Sequence, residues 1–393
     1  MITFEEAIKI VLKHAKPLPP VQTRIEDAVG RVLLEDIRSG LEMPPFNKSA
    51  VDGYAVRAAE AAPGRELRNA GLVQAGAEFK GKLRPGDCVK IMTGAPVPAG
   101  ADAVVMVEDT SEKDGRVKFE AGIKKGANIA VRGEDIKKGQ KILARGTVLA
   151  VSQIAALAAV GRSHVKTGAL PAVALINTGG EIVPPGAKLG RNRIYNSNGP
   201  MLSALLKTDG ISAAPVIAHD DENTLKAAIG KALKSDIVLI SGGVSMGDYD
   251  LVPGVLKALG VKTLFHKVRV RPGKPMFFGV KGDRLVFGIP GNPVANFMAY
   301  LAYIRPAIRK LGGRADYAPR FLDGTCAAAF EPRTPRRALV LSNVSAKTGY
   351  SLCEVSNNGS ADILALAEAN GFTMVKEGGS IKKGGKAKFI SWL

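Results

Sequence analysis

Long apolar runs, paired cysteines and aromatic residues are all scarce in this chain of 393 residues. No stretch approaches the ~20 apolar residues that span a bilayer. The opening residues, Met1, Ile2, Thr3, Phe4, Glu5 and Glu6, have neither the basic segment nor the apolar core of a secretory signal. Secretion and membrane insertion are therefore not expected. The cysteines Cys88, Cys326 and Cys353 form no CxxC pair, which argues against a disulfide framework or a zinc site and suits a reducing, cytoplasmic compartment. Aromatic residues amount to 5%, too few for the stacking platforms that hold single-stranded nucleic acid.

Positive charge is what the chain has in excess, with a net +19. Such a surplus raises the question of a phosphate backbone. Here it is diffuse: Lys124 with Lys125, Lys137 with Lys138 and Lys382 with Lys383 each stand beside glycine in turn-like settings. Solvated loop charge explains them, and no nucleic-acid partner is expected, although a basic protein favours small anionic ligands. With 46% hydrophobic and 23% charged residues, the composition is that of a globular protein long enough for several domains.

The texture changes along the chain. Residues 3–15 read as a helix with a Thr3/Glu6 capping box and an apolar stripe of Phe4, Ala7, Ile8, Val11, Leu12 and Ala15. From Val29 to about Gly146, short β-like runs are broken by Gly and Pro. A helical run, Val151 to Val160, leads into an alternating segment. Strands are expected at 172–176, 214–217, 237–240, 261–265 and 285–289, with helical stretches at 200–207, 222–234, 251–259 and 294–311. This order predicts a parallel sheet with helices on both faces. Ligands then bind outside the carboxyl ends of the strands, where three loops lie, 177–181, 241–250 and 290–293. Beyond Arg320 the texture returns to β runs, read as a separate small β domain.

The loops carry the chemistry. Ser241-Gly-Gly-Val-Ser-Met-Gly-Asp-Tyr-Asp250 follows a buried strand: its N–H groups can form a concave anion site, and Asp248 and Asp250 offer hard oxygen ligands to magnesium, while Asp250 also suits a helix cap. Thr178, Gly179, Gly180 and Glu181 make a tight turn with a hydroxyl and a carboxylate. Pro290, Gly291, Asn292 and Pro293 expose N–H groups ahead of a helix. Arg271-Pro-Gly-Lys274-Pro275 sets two cations on a stiffened loop that orders at low entropic cost. In the β-rich region, Lys48, Ser49 and Asp52 stand close together, and Thr93 opens a Thr-Gly-Ala-Pro turn. Each of these reads equally as scaffold when taken singly.

As a set, PPFNKSAVDGYAVR, IMTGAPVP, NTGGEIVPPG, SGGVSMGDYD, RPGKP, GIPGNPVAN and NGSADILALAEANG resemble the MoeA family, the molybdopterin molybdenumtransferases that include the E domain of gephyrin. The resemblance implies an enzyme that inserts molybdate, or tungstate, into adenylylated molybdopterin and releases AMP in a magnesium-dependent step. It implies homodimers of elongated, multidomain subunits in the cytoplasm, acting on small anionic substrates and possible contacts with other proteins of the pathway. The implied fold is α/β plus β: a molybdopterin-binding domain with a parallel sheet, a β-rich N-terminal domain and a small C-terminal domain like a β-barrel. The implied divisions are 1–26 packing near the α/β domain, a linker of 27–44 with 145–168, then 45–144, 169–315 and 320–393.

Carried over by motif, the catalytic set is Asp52, Thr93, Glu181, Asp221 (with Asp220 as the other candidate in HDDE), Asp248 and Asp250. Glu181, Asp248 and Asp250 are the metal set. Pterin binding falls to Thr178, Gly179, Ser241, Gly242, Gly243, Ser245, Pro290, Gly291, Asn292 and Pro293. Oxyanion binding falls to Arg271, Lys274, Pro275, Arg337 and Ser360. The sequence departs from the family pattern in three places: Gly180 replaces an aspartate, Ala295 a serine, and Leu364 and Ala365 a pair of serines. The alternative is a non-catalytic molybdopterin-binding or scaffold protein of the same family. Related adenylyltransferases share the α/β loops but lack the region of Asp52 and Thr93.

Overall fold

A computed structural model describes residues 1–244, 251–346 and 349–392. The chain forms two compact units. The first is Met1–Glu35, Gly146–Ile154 and His164–Leu393, and the second is Asp36–Arg145 and Ala155–Ser163.

The first unit begins with the expected helix, Phe4–His14. The Glu6 N–H donates to the Thr3 hydroxyl and the Thr3 N–H to the Glu6 carboxylate, at 3.2 and 2.8 Å. This reciprocal cap satisfies two of the helix's free donors. Its buried stripe of Phe4, Ala7 and Val11 joins the main core, where the Phe4 ring lies 5.6 Å from that of Tyr303.

The central sheet has six strands in the order Pro215–Ala218, Val173–Thr178, Ile237–Ser241, Arg284–Ile289, Phe277–Lys281 and Lys262–Phe265. Successive side chains of Ile237–Ser241 enter different cores, as the two-residue period of a strand requires. Ile237 and Leu239 pack with Leu202, Leu206 and Tyr300 on one face, while Val238 and Ile240 pack with Leu225, Ile229 and Leu256 on the other. Helices on both faces explain the unbroken apolar runs.

The sheet is mixed, which corrects the expectation of a parallel one. The first four strands are parallel, but Phe277–Lys281 runs antiparallel to both of its neighbours, and Lys262–Phe265 is an edge strand. The reading of the sequence passed over Phe277–Lys281 by moving from the RPGKP loop directly to Leu285. Its signal was Gly282–Asp283, a two-residue link in which Gly282 has φ +61°. So short a link joins only antiparallel strands.

The last helical stretch is also more detailed than expected. Pro293–Ala299 and Arg305–Leu311 are α-helical, and Tyr300–Ile304 between them is a π turn. Pro306 has no N–H for the Ala302 carbonyl, so the ladder loses a bond there and the helix widens.

Beyond this helix, five strands close into a barrel. Arg337–Ala346 pairs with Tyr350–Glu354, then come Leu322–Cys326, Lys386–Ser391 and Gly371–Val375, which pairs back with Arg337–Ala346. Closure leaves no free edge within the ring. A two-residue strand, Val270–Arg271, joins it in parallel beside Arg337 and Ala338.

The second unit is built on a curled six-stranded sheet in the order Ala103–Met106, Gly53–Val56, Asp87–Ile91, Glu66–Val73, Arg116–Phe119 and Thr110–Lys113. Its faces bury separate clusters, one around Tyr54, Cys88 and Phe119 and the other around Ala55, Val89 and Val104. Burial pushes the Cys88 thiol up to about 12, which makes it an inert core residue.

Candidate functional site

Parallel neighbours Val173–Thr178, Ile237–Ser241 and Arg284–Ile289 end at the same edge of the sheet, so their following loops lie side by side. They line a cleft of about 880 Å³. Thr178, Gly179, Glu181, Ser241, Gly242, Gly243, Pro290, Gly291, Asn292 and Pro293 all line it, as does Asp220. Three expected site residues, Ser245, Asp248 and Asp250, lie outside the described residues.

The loops approach so closely that side chains are excluded. At Gly242 (φ +100°) a Cβ would stand 2.5 Å from the Thr178 carbonyl oxygen, and at Gly243 (φ +62°) 2.9 Å from the Thr178 hydroxyl. Only glycine fits both the backbone angle and the gap. Asn198 ties two of the loops together: its amide donates to the Ser241 hydroxyl at 3.2 Å and to the Gly291 carbonyl at 2.6 Å. The sequence reading missed this residue, whose signal was the polar run Asn196-Ser-Asn198 at the start of helix Asn198–Thr208. Among the described residues, the Thr178 hydroxyl, the Asn177 amide nitrogen and the Asn198 amide oxygen are buried without a hydrogen-bond partner. Orphaned polar atoms are costly unless a ligand or water meets them, and these three belong to residues that line the cleft.

Of the two aspartates in HDDE, Asp220 lines the cleft, and its carboxylate accepts from the Gly180 N–H at 3.1 Å. Asp221, the residue placed in the catalytic set, instead caps helix Glu222–Ala232 by accepting from the Thr224 N–H at 2.8 Å. Bonds from Thr224 lower its pKa, the side-chain bond most. An aspartate just before a helix start satisfies a free N–H there. Spacing alone does not say which of two adjacent residues takes that task.

A second hollow, of about 900 Å³, adjoins the first and shares Pro275, Pro290, Asn292 and Ala361 with it. Arg271, Lys274, Pro275 and Ser360 line it as expected, together with Arg333 and Arg336. Glu354 is the one carboxylate among its described lining residues. The pairing of Val270–Arg271 with the barrel brings the RPGKP loop to this wall. Arg271 donates to the Arg333 carbonyl at 2.9 Å and Arg336 to the Val270 carbonyl at 3.0 Å. Burial, and then the charge of Arg271, push the pKa of Arg336 down; an arginine remains cationic regardless. On the facing side, the Asn292 amide donates to the Ser360 hydroxyl at 2.8 Å.

Arg337 does not join this group. Its guanidinium pairs with Glu5 and touches the Met374 sulfur. Arg336, in the bend just before strand Arg337–Ala346, lines the hollow in its place, held there by its bond to the Val270 carbonyl. The signal for Arg333 and Arg336 was the proline-framed cationic run Pro332-Arg-Thr-Pro-Arg-Arg337.

Asp52 and Thr93 belong to the second unit. Both the N–H and the hydroxyl of Thr93 donate to one Asp52 oxygen, at 2.6 and 2.7 Å. These bonds, the backbone one most, hold the Asp52 carboxyl below its usual range.

Comparison with known proteins gives this geometry a frame. Residues 2–161 match the MoeA N-terminal region (domain I and II), and residues 174–310 match a probable molybdopterin binding domain. A molybdopterin molybdenumtransferase of Staphylococcus epidermidis is 33% identical over 96% of this chain and 92% of its own length. The chain belongs to the MoeA family of molybdopterin molybdenumtransferases, enzymes of molybdenum cofactor biosynthesis. A Staphylococcus aureus enzyme of the same name is 32% identical over the same shares. The crystal structure of the molybdopterin biosynthesis MoeA protein from Pyrococcus horikosii superposes with a TM-score of 0.79 at 31% identity, covering 100% of this chain and 99% of that one.

Within this family frame, Glu181 and Asp220 are hard oxygen donors of the kind magnesium takes. Among the described residues, no group of three metal-binding side chains occurs. Also among them, no helix is long and apolar enough to cross a membrane.

Proposed function

We propose that the chain inserts molybdate, or the near-identical tungstate, into adenylylated molybdopterin, with magnesium-dependent release of AMP. One observation carries the reading: a cleft lined by uncharged hydrogen-bonding groups, with Glu181 and Asp220 among its lining, opens onto a hollow carrying Arg271, Lys274, Arg333 and Arg336. The reaction brings a dianionic oxyanion to a substrate that already carries phosphate, an encounter that is repulsive until fixed cations offset the charge. The glycine-rich loops and Asn198 orient the pterin, and the Arg271–Pro275 loop holds the oxyanion beside it. Asn292 and Ser360, bonded to each other, stand where the two spaces meet.

Magnesium, when bound, supplies a hard cation for the adenylyl phosphates. In this reading Glu181 holds it together with Asp248 and Asp250, and Asp220 rather than Asp221 supplies a further carboxylate on that wall. The protein acts as a homodimer on small anionic substrates.

To test this, the purified protein is incubated with adenylylated molybdopterin, magnesium and molybdate, and AMP is measured. Release by the wild type that is lost in Lys274→Ala supports the proposal. Tight pterin binding with no release under either oxyanion would leave the scaffold reading in its place.

A further inference from the structure

The second unit has a hollow of its own, about 630 Å³ in volume, that the reaction proposed above does not use. Arg57, Arg68, Lys80, Lys82 and Arg84 line it, together with Phe79. One carboxylate, Asp87, is also present, but it is held by Arg68 through two bonds of 2.9 and 3.0 Å. Arg57 is paired through its Nε with a Glu60 carboxylate oxygen at 3.4 Å and donates from Nη2 to the Leu83 carbonyl at 3.5 Å, which fixes its guanidinium beside the hollow. Lys80, Lys82 and Arg84 are exposed and form no salt bridge among the described residues.

The backbone fixes this cluster in place. The Leu83 N–H donates to the Ala99 carbonyl at 2.8 Å, the buried Leu83 side chain anchors the segment, and the Gly86 N–H donates to Glu60 at 3.0 Å. Arg57 and Arg68 already face carboxylates, whereas Lys80, Lys82 and Arg84 repel one another until an anion enters, and then gain charge-assisted bonds. Phe79 is partly buried and offers an aromatic surface in the same space. A hollow of this size suits a small molecule, and a single ring is too little for a run of stacked bases.

We propose that this hollow binds a nucleoside monophosphate, with the phosphate held by Arg57, Lys82 and Arg84 and the base placed against Phe79. The inference rests on the second unit alone and is independent of the proposed reaction.

Hydrogen–deuterium exchange of the full chain, with AMP or inorganic phosphate as the probe, locates the binding, and calorimetry measures it. AMP should protect residues 79–87. The double variant Lys82→Ala/Arg84→Ala should weaken AMP roughly tenfold or more, with affinity falling as salt rises. Phe79→Leu should weaken AMP while sparing phosphate. Protection confined to 177–181 and 290–293, or an unchanged affinity in the double variant, overturns the proposal. So does equal affinity for phosphate and AMP, or tighter protection of 79–87 by a short duplex DNA at the same salt. Turnover is read separately as AMP release from adenylylated molybdopterin, so failure here leaves that reading untouched.

Discussion

The two adjoining hollows of the first unit are walled by opposite chemistry. One is closed by strand-end loops whose glycines and amides bring backbone within van der Waals reach, and among the described residues its charged lining is the carboxylates Glu181 and Asp220. The other takes its wall from the barrel and the loop beside it, and among the described residues four cations face a single carboxylate there. In the reaction proposed above, shape and hydrogen bonding select a ligand in the first, while charge selects one in the second. Keeping the two apart avoids neutralising the cations with the carboxylates, since opposite charges within a few ångströms would pair.

The strongest way to break this contrast is to remove the charge. Arg271→Ala/Lys274→Ala should lower the rate of AMP release by roughly 100-fold or more, in line with the loss of a preorganised electrostatic group, while pterin binding stays close to wild type. An equal loss of pterin binding in calorimetry would show that the two spaces are one site. The complementary change attacks shape: Gly242→Ala should cost at least about 2 kcal/mol through its positive φ and the contact with Thr178, seen as a lower melting temperature. An unchanged melting point would mean that the loops can part freely.

Asp220→Ala and Asp221→Ala separate cleft from cap. The first should reduce turnover with little change in melting temperature. The second should lower the melting temperature and leave turnover nearly intact, because an N-cap is what it removes. The opposite assignment would restore Asp221 to the cleft.

A smaller effect is expected in the second unit. Asp52 has a folded pKa below its ordinary 3.8. Its contribution to stability is therefore complete above that value and is lost as pH falls through the lower, folded pKa. An amide titration of Thr93 by NMR should show its inflection below 3.8, and an inflection at or above that value would deny the bond. The smallest effect is that of Gly180→Asp, which introduces the aspartate that the resemblance implies. A Cβ there meets nothing within 4 Å, so stability should change by less than about 0.5 kcal/mol, and any change in magnesium dependence reports on the rim carboxylates alone.

Legibility followed the range of the physics. The capping box of Thr3 and Glu6, the apolar strands and the glycine-rich strand-end loops are local patterns, and each was readable from residue spacing. The strand Phe277–Lys281 was passed over because its aromatic run directly follows a proline-rich loop, although the two-residue Gly282–Asp283 link marked it. Asn198, Arg333 and Arg336 could be found only weakly, because their roles come from neighbours about 40 to 100 residues away, as with Ser241 and Gly291 for Asn198 and Val270 for Arg336.

By itself, then, the sequence determined the elements, the glycines that let the loops approach and the types of charge available, since these depend on backbone freedom and short-range periodicity. The choice between Asp220 and Asp221, and between Arg336 and Arg337, was made by the tertiary structure. Adjacent residues share almost the same chemistry along the chain, and only helix capping, ion pairing and the packing of the loop against the barrel decide which of them faces a cavity and which is taken by a structural partner.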